Sequence, residues 1–137
     1  MAEYKLNKNG EGSIPQGETY ISDGAFKGNK KLKSIVIPDG VTDIGWNAFS
    51  ECTNLKSVVI PSSVEYIGSM AFYNCTELTS ITIPEKVDKI RPYTFSGCEN
   101  LSSIRVAEGN KYYDSRNDCN AIIETESNTL LLGCSRT

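Results

Sequence analysis

Histidine is absent from all 137 residues. Without an imidazole there is no Ser-His-Asp or Cys-His nucleophile, no His-ligated zinc or haem, and none of the usual proton shuttling near pH 7. Long hydrophobic runs are missing too, since nothing approaches the roughly 18 apolar residues that a membrane-crossing helix needs. An excess of one charge is also lacking: 14 Lys and Arg against 17 Asp and Glu leave a net charge of -3. The charges are scattered, which provides no overall basic field for nucleic acid or an anionic membrane. Five cysteines are few for a disulfide scaffold, and their odd number leaves at least one thiol unpaired within the chain. Familiar catalysis, nucleic-acid binding and membrane insertion are thus disfavoured. What remains, with 39% apolar residues, is enough for one compact domain.

The chain repeats itself. Pro15, Pro38, Pro61 and Pro84 are spaced by 23 residues, as are Phe26, Phe49, Phe72 and Phe95. The same step relates Ile21, Ile44, Ile67 and Ile90, then Leu32, Leu55, Leu78 and Leu101, then Ser34, Ser57, Ser80 and Ser103. Each unit reads Pro-x-x-Val-x-x-Ile-Gly-x-x-Ala-Phe-x-x-Cys-x-x-Leu-x-Ser-Ile-x-Ile. The first is the loosest, with Glu18 at the Val position and Asn29 at the Cys position.

In the Ser-Ile-x-Ile tail, β-branched residues alternate with small or polar ones, the pattern of a strand with one buried face that the following Pro ends. Segments such as Trp46 to Cys52 are too short for an independent helix, which predicts irregular or 3₁₀ backbone that drops Phe into the core. One unit cannot bury its apolar side alone, but units stacked at a strand spacing of about 4.8 Å superpose equivalent residues into ladders. The expected fold is a solenoid, mainly β, with a parallel sheet on one face. Its boundaries are residues 1–14 as an N-terminal cap or tail, 15–106 as four 23-residue repeats, and 107–137 as a non-repeat capping segment.

This pattern resembles the BspA-type leucine-rich repeat, also called the Treponema pallidum type. The match rests on Leu-x-x-Ile-x-Ile-Pro followed by Val-x-x-Ile-Gly-x-x-Ala-Phe-x-x-Cys, with Arg91 and Thr94 departing from it in the fourth unit. Asp114 to Thr125, ending in Leu131-Leu132-Gly133-Cys134, is similar to a spacer found between repeats of that family, which implies a piece of a longer array. The resemblance implies a non-enzymatic protein-binding module of a bacterial cell-surface or secreted adhesion protein, with a host matrix or cell-surface protein as partner. Met1 to Gly10 is mixed polar and has no secretory-signal pattern, which keeps an intracellular interaction scaffold in view beside a structural spacer.

Beyond the period, Ala121 to Glu124 and Leu130 to Leu132 flank a polar stretch and read as a β-hairpin covering the end of the core. Pairing Ile123 with Leu130 and Ile122 with Leu131 would set Cys119 opposite Cys134, a candidate disulfide. Open solenoid ends also invite end-to-end self-association.

Candidate chemistry is sparse. Cys52, Cys75 and Cys98 stack one per turn, but without a Cys-x2-Cys pair or any His they read as buried thiols, not as a metal site. Glu124 and Glu126 sit at a hairpin turn and should be solvated; Gly10-Glu11-Gly12 lacks the context of a phosphate loop; Asp114, Asn117 and Asp118 lack an EF-hand pattern. No catalytic residue, cofactor or metal is expected. Lys27, Lys30, Lys31 and Lys33 make the first unit locally positive, either a solvated face or a patch for an acidic protein or polyanion.

The functional candidate is therefore a surface. The sheet's outer face would carry Lys33, Ser34 and Val36, then Lys56, Ser57 and Val59, then Thr79, Ser80 and Thr82, then Ser103 and Arg105. A second strip carries Trp46, Asn47, Ser69, Met70, Pro92 and Tyr93, residues that the frame does not require. Trp46 and Tyr93 are its partner-binding candidates.

Overall fold

A computed structural model describes residues 4–115 and 121–133. The strands are β1 (Lys5–Leu6), β2 (Glu11–Ser13), β3 (Tyr20–Ile21), β4 (Ser34–Val36), β5 (Asp43–Ile44), β6 (Ser57–Val59) and β7 (Tyr66–Ile67). After them come β8 (Ser80–Ile83), β9 (Lys89–Ile90), β10 (Ser103–Val106), β11 (Tyr113–Asp114), β12 (Ala121–Glu124) and β13 (Thr129–Gly133). From β2 to β10 they form a β-solenoid in which each turn gives one strand to each of two parallel stacks. One stack is β3-β5-β7-β9; the other runs as β2-β4-β6 and β8-β10, with β1 added antiparallel to the outer edge of β2. Register follows the period, with Ser34 beside Ser57 and Ile44 beside Ile67.

The segment between the Ile and Cys positions contains no 3₁₀ turn among the described residues; it is a chain of overlapping turns. Its backbone N–H groups alternate in destination. In the second repeat those of Ala48, Ser50 and Cys52 close onto the carbonyls of Gly45, Asn47 and Phe49, while those of Asn47, Phe49 and Glu51 reach the carbonyls of Ser69, Ala71 and Tyr73 one turn on. Half the donors therefore shape the turn and half stack it, so no backbone donor of this stretch is wasted. The irregular backbone expected from the sequence is present, and the 3₁₀ alternative is not, because consecutive i to i+3 bonds would leave nothing for the neighbour.

Inside, Phe26, Phe49, Phe72 and Phe95 stack with centroids 5.4, 5.2 and 5.5 Å apart and planes within 6° of parallel. Gly45 and Gly68 are dictated by this closeness. A Cβ on Gly45 would stand 2.5 Å from the Ile21 carbonyl oxygen, and one on Gly68 would stand 2.8 Å from backbone atoms of Gly45 and Trp46. In the fourth turn, Arg91 keeps the equivalent bond, its N–H to the Ile67 carbonyl at 3.1 Å. Thr94 replaces Ala there, and its buried hydroxyl is held by the carbonyls of Arg91 and Gly68 at 2.5 and 3.2 Å.

The regular pattern reaches further at both ends than the repeat of side chains. β2 pairs in parallel with β4, Glu11 beside Ser34 and Gly12 beside Ile35, which is again a step of 23. Gly12 stands at an Ile position because Leu32 already fills the space, its Cδ1 lying 2.6 Å from where a Cβ would be. At the other end Tyr113 stands 23 residues after Ile90 and is buried. There the chain turns into the antiparallel sheet β11-β12-β13, whose Ala121 and Ile122 are buried and whose Leu132 packs against the core.

The hairpin's register differs from the expected one. Ile123 does pair with Leu130, but Ile122 pairs with Leu132, a β-bulge intervening between Ile122 and Ile123. The bulge places Ile122 in the core and leaves Leu131 exposed. It also removes the register on which the Cys119 to Cys134 bridge was drawn; both cysteines lie outside the described residues.

Candidate interaction surface

The strands β4, β6, β8 and β10 point Ile35, Val58, Ile81 and Ile104 inward. By strand alternation their neighbours point out. Val36 and Val59 stand side by side in register and remain 67% and 54% exposed. Ser57, Ser80, Thr82 and Arg105 are exposed, and Ser34 and Ser103 half-buried. At the strand entries Lys33, Lys56, Thr79 and Ser102 are exposed, and their backbones connect turn to turn, Lys56 N–H to the Lys33 carbonyl at 2.8 Å and Ser102 N–H to that of Thr79 at 2.9 Å. The sheet candidates thus fall on one face, aliphatic at β4 and β6 and polar at β8 and β10.

The second strip is split. Trp46 and Tyr93 are exposed, 55% and 68%, but a whole turn separates them, so they do not form one patch. Asn47 is buried, contrary to the expectation that this strip faces solvent; its Oδ1, like the Ser50 hydroxyl, has no hydrogen-bond partner. The backbone is shared along the strip: positions 24, 47, 70 and 93 are all left-handed, occupied by Gly24 (φ 65°), Asn47 (58°), Met70 (58°) and Tyr93 (62°). Burial nonetheless differs from turn to turn, with Met70 half-buried and Tyr93 exposed, so the shared conformation does not by itself decide which side chain is covered. No sequence pattern marks this position, because the four residues share no chemistry.

Each of the three stacked thiols has a structural task that the sequence did not suggest. The Sγ atoms of Cys52, Cys75 and Cys98 donate to the carbonyls of Phe26, Phe49 and Phe72 at 3.0, 3.1 and 3.1 Å. Burial pushes the pKa values of Cys52 and Cys98 up to about 11, and that of Cys75 higher still, so all three are neutral donors at physiological pH. Glu124 and Glu126 lie around the exposed hairpin turn, where Glu124 accepts from the Ser127 hydroxyl. Among the described residues no three Asp, Glu or Cys converge as metal ligands.

Two concavities border these surfaces. One, of about 310 Å³, lies between the fourth turn and the hairpin and is lined by Ile90, Pro92, Phe95, Ile122, Leu131 and Leu132 among others. The other is at the N-terminal end and is lined mainly by lysines.

The geometry is that of a repeat solenoid that exposes an in-register sheet. The chain belongs to the BspA-type leucine-rich repeat family, whose model matches residues 11–125 as six copies. Among solved structures it is similar to the pneumococcal vaccine antigen PcpA, at 25% identity and a TM-score of 0.70, over 73% of this chain and 25% of that one. A leucine-rich repeat protein from Bacteroides capillosus matches at 24% identity and a TM-score of 0.59, over 77% of this chain and 94% of that one. The Treponema pallidum leucine-rich repeat protein matches at 21% identity and a TM-score of 0.52, over 76% and 68%. The chain therefore spans about a quarter of the pneumococcal antigen's length. No curated protein matches it.

Proposed function

We propose that the chain is a non-enzymatic protein-binding module of a bacterial cell-surface or secreted adhesion protein, and that its partner is a host matrix or cell-surface protein. The observation that carries the reading is the pair Val36 and Val59: two large aliphatic side chains, adjacent in register, left exposed on a rigid sheet whose other face is fully packed. Aliphatic contacts ringed by serine, threonine and lysine have the make-up of a binding surface with a polar rim. The likeness to a protein described as a vaccine antigen supports an exterior location.

The test is surface plasmon resonance of the full chain against a panel of matrix and cell-surface proteins. A partner should emerge whose affinity falls at least about tenfold in the double variant Val36→Asp, Val59→Asp, the loss of one central contact cluster. A partner bound equally by that variant, with its thermal transition unchanged, would sink the reading.

A further inference from the structure

The frame does not explain the lysines of the first repeat. Along the loop that enters the sheet, Lys30 is followed in later turns by Thr53, Thr76 and Glu99, Lys31 by Asn54, Glu77 and Asn100, and Lys33 by Lys56, Thr79 and Ser102. The stack is therefore polar in charge. Residues 1–34 carry six lysines against four carboxylates, and the remainder eight cationic side chains against thirteen.

The fold gathers these lysines into a cleft. The turn joining β1 to β2 brings Lys8 opposite Lys30, Lys31 and Lys33, enclosing about 670 Å³ with Leu6 and Gly10 in the lining and no carboxylate. Two devices hold the walls. Asn29, at the Cys position, accepts the N–H groups of Lys31 and Leu32 at 3.0 and 3.1 Å and so fixes the lysine loop. Gly10, with φ of 80°, accepts the Lys33 N–H at 2.7 Å, and a Cβ there would stand 2.6 Å from the Lys31 carbonyl oxygen and 2.8 Å from Lys33 Cγ. The hairpin and the loop can approach this closely only through glycine. Glu11, next in sequence to Gly10, is not part of the lining, and its Oε1 accepts from Asn7 Nδ2 at 3.2 Å.

We infer that this cleft binds an acidic segment of a protein partner, one that carries aliphatic side chains between its carboxylates. Four like charges held in one concavity repel each other, and a multivalent anion relieves that repulsion. The lysine edge runs directly into the sheet, Lys33 preceding Ser34 to Val36 and Lys56 preceding Ser57 to Val59. A chain seated on the lysines therefore passes over Val36 and Val59, which an acidic peptide with apolar residues satisfies. Nucleic acid is a poorer fit, because the lining holds no aromatic ring for stacking and no arginine. This inference rests on the reading of the chain as a protein-binding module and adds the chemistry of what it binds.

The experiment is fluorescence anisotropy of the full chain with a labelled peptide of about a dozen residues alternating Glu and Val, long enough at about 3.3 Å per residue to cross the cleft and two strands. A Gln-for-Glu peptide is the uncharged control, and heparin and single-stranded DNA are competing polyanions. The acidic peptide should bind, weaken steeply as salt rises toward about 0.5 M, and lose at least about tenfold in Lys30→Glu, Lys31→Glu. Lys86→Glu, Lys89→Glu at the far end should bind as the parent does, and Val36→Ser should weaken binding about threefold. Thermal melts of each variant, all at exposed sites, separate lost binding from lost folding. Equal binding of the Gln peptide, parental binding by the Lys30/Lys31 variant, or heparin or DNA binding more tightly than the peptide each overturns the assignment. Absence of peptide binding overturns it as well, without touching the Val36/Val59 test against matrix proteins.

Discussion

The middle of the stack and its two ends meet the same physical demand by different chemistry. In the second and third turns Gly45 and Gly68, Ala48 and Ala71, Phe49 and Phe72, and Cys52 and Cys75 are buried, and alternate backbone donors of the stretch between them are taken by the backbone of the neighbouring turn. The end turns have one such neighbour only. At the start the Tyr4 hydroxyl accepts the Ser22 N–H at 2.8 Å and donates to its hydroxyl at 3.0 Å, while its ring lies 5.4 Å from that of Phe26 in the place a further phenylalanine would take. At the other end the Tyr113 hydroxyl accepts the Ile90 N–H at 3.0 Å. Asn110, at a Val position, donates to the carbonyls of Pro84 and Val87 and accepts the N–H groups of Tyr112 and Tyr113. A strict repeat thus marks residues that serve two neighbours, and its loss marks side chains that replace a missing one. These tyrosines also occupy groups that end-to-end association in register would use.

The largest test of this contrast is the phenylalanine ladder. Phe72→Ala should cost about 3–5 kcal/mol, since it opens a cavity between two stacked rings. Phe95→Ala should cost less by at least about 1 kcal/mol, because among the described residues Phe95 stacks on one ring only, Phe72. Urea denaturation of the two variants measures the difference. Equal losses would mean that the end is packed as the middle is, and the contrast would fail.

The caps give a smaller effect. Asn110→Ala strips partners from four backbone groups and should cost about 2 kcal/mol, whereas Asn54→Ala, which loses one exposed bond to the Lys30 carbonyl, should cost about 0.5 kcal/mol or less. Tyr113→Phe isolates the hydroxyl and should fall between them. Similar losses at positions 54 and 110 would show that the terminal amide is not a replacement for a missing turn.

The same distinction governs what could be read from the sequence. Wherever a residue faces an identical residue in the next turn, the period exposes it, and so the core ladders, the parallel register and the outward row from Ser34 to Arg105 were legible. Gly12 and Tyr113 hid two further strand positions because they answer to local space and to an absent neighbour. The bulge beside Ile122 could not be read, since Leu130, Leu131 and Leu132 are chemically alike and three apolar residues do not specify which is skipped. The burial of Asn47 was hidden because the residues at its position share a left-handed backbone but neither chemistry nor burial, Met70 being half-buried and Tyr93 exposed. The lysine cleft was half visible: Lys30, Lys31 and Lys33 stood out as a charge run, but Lys8 joins them only through the turn between β1 and β2.

The smallest effect concerns that left-handed position, and it has the opposite sign. Gly24 adopts it freely and Asn47 readily, but Met70 and Tyr93 do so at a cost of about 1–2 kcal/mol each. Tyr93 is also 68% exposed, so its ring repays little by burial. Tyr93→Gly should therefore raise stability by about 0.5 kcal/mol, the relief of strain less the added freedom of glycine in the unfolded chain. Asn47→Gly should not stabilise by strain relief, because Asn already tolerates the conformation. Thermal denaturation distinguishes the outcomes: a Tyr93→Gly variant less stable than the parent would mean that the ring packs against the fourth turn and that position 93 is structural. A variant that is more stable yet binds a partner more weakly would place Tyr93 among residues where the fold carries strain to present a side chain, the signature of a surface kept for contact.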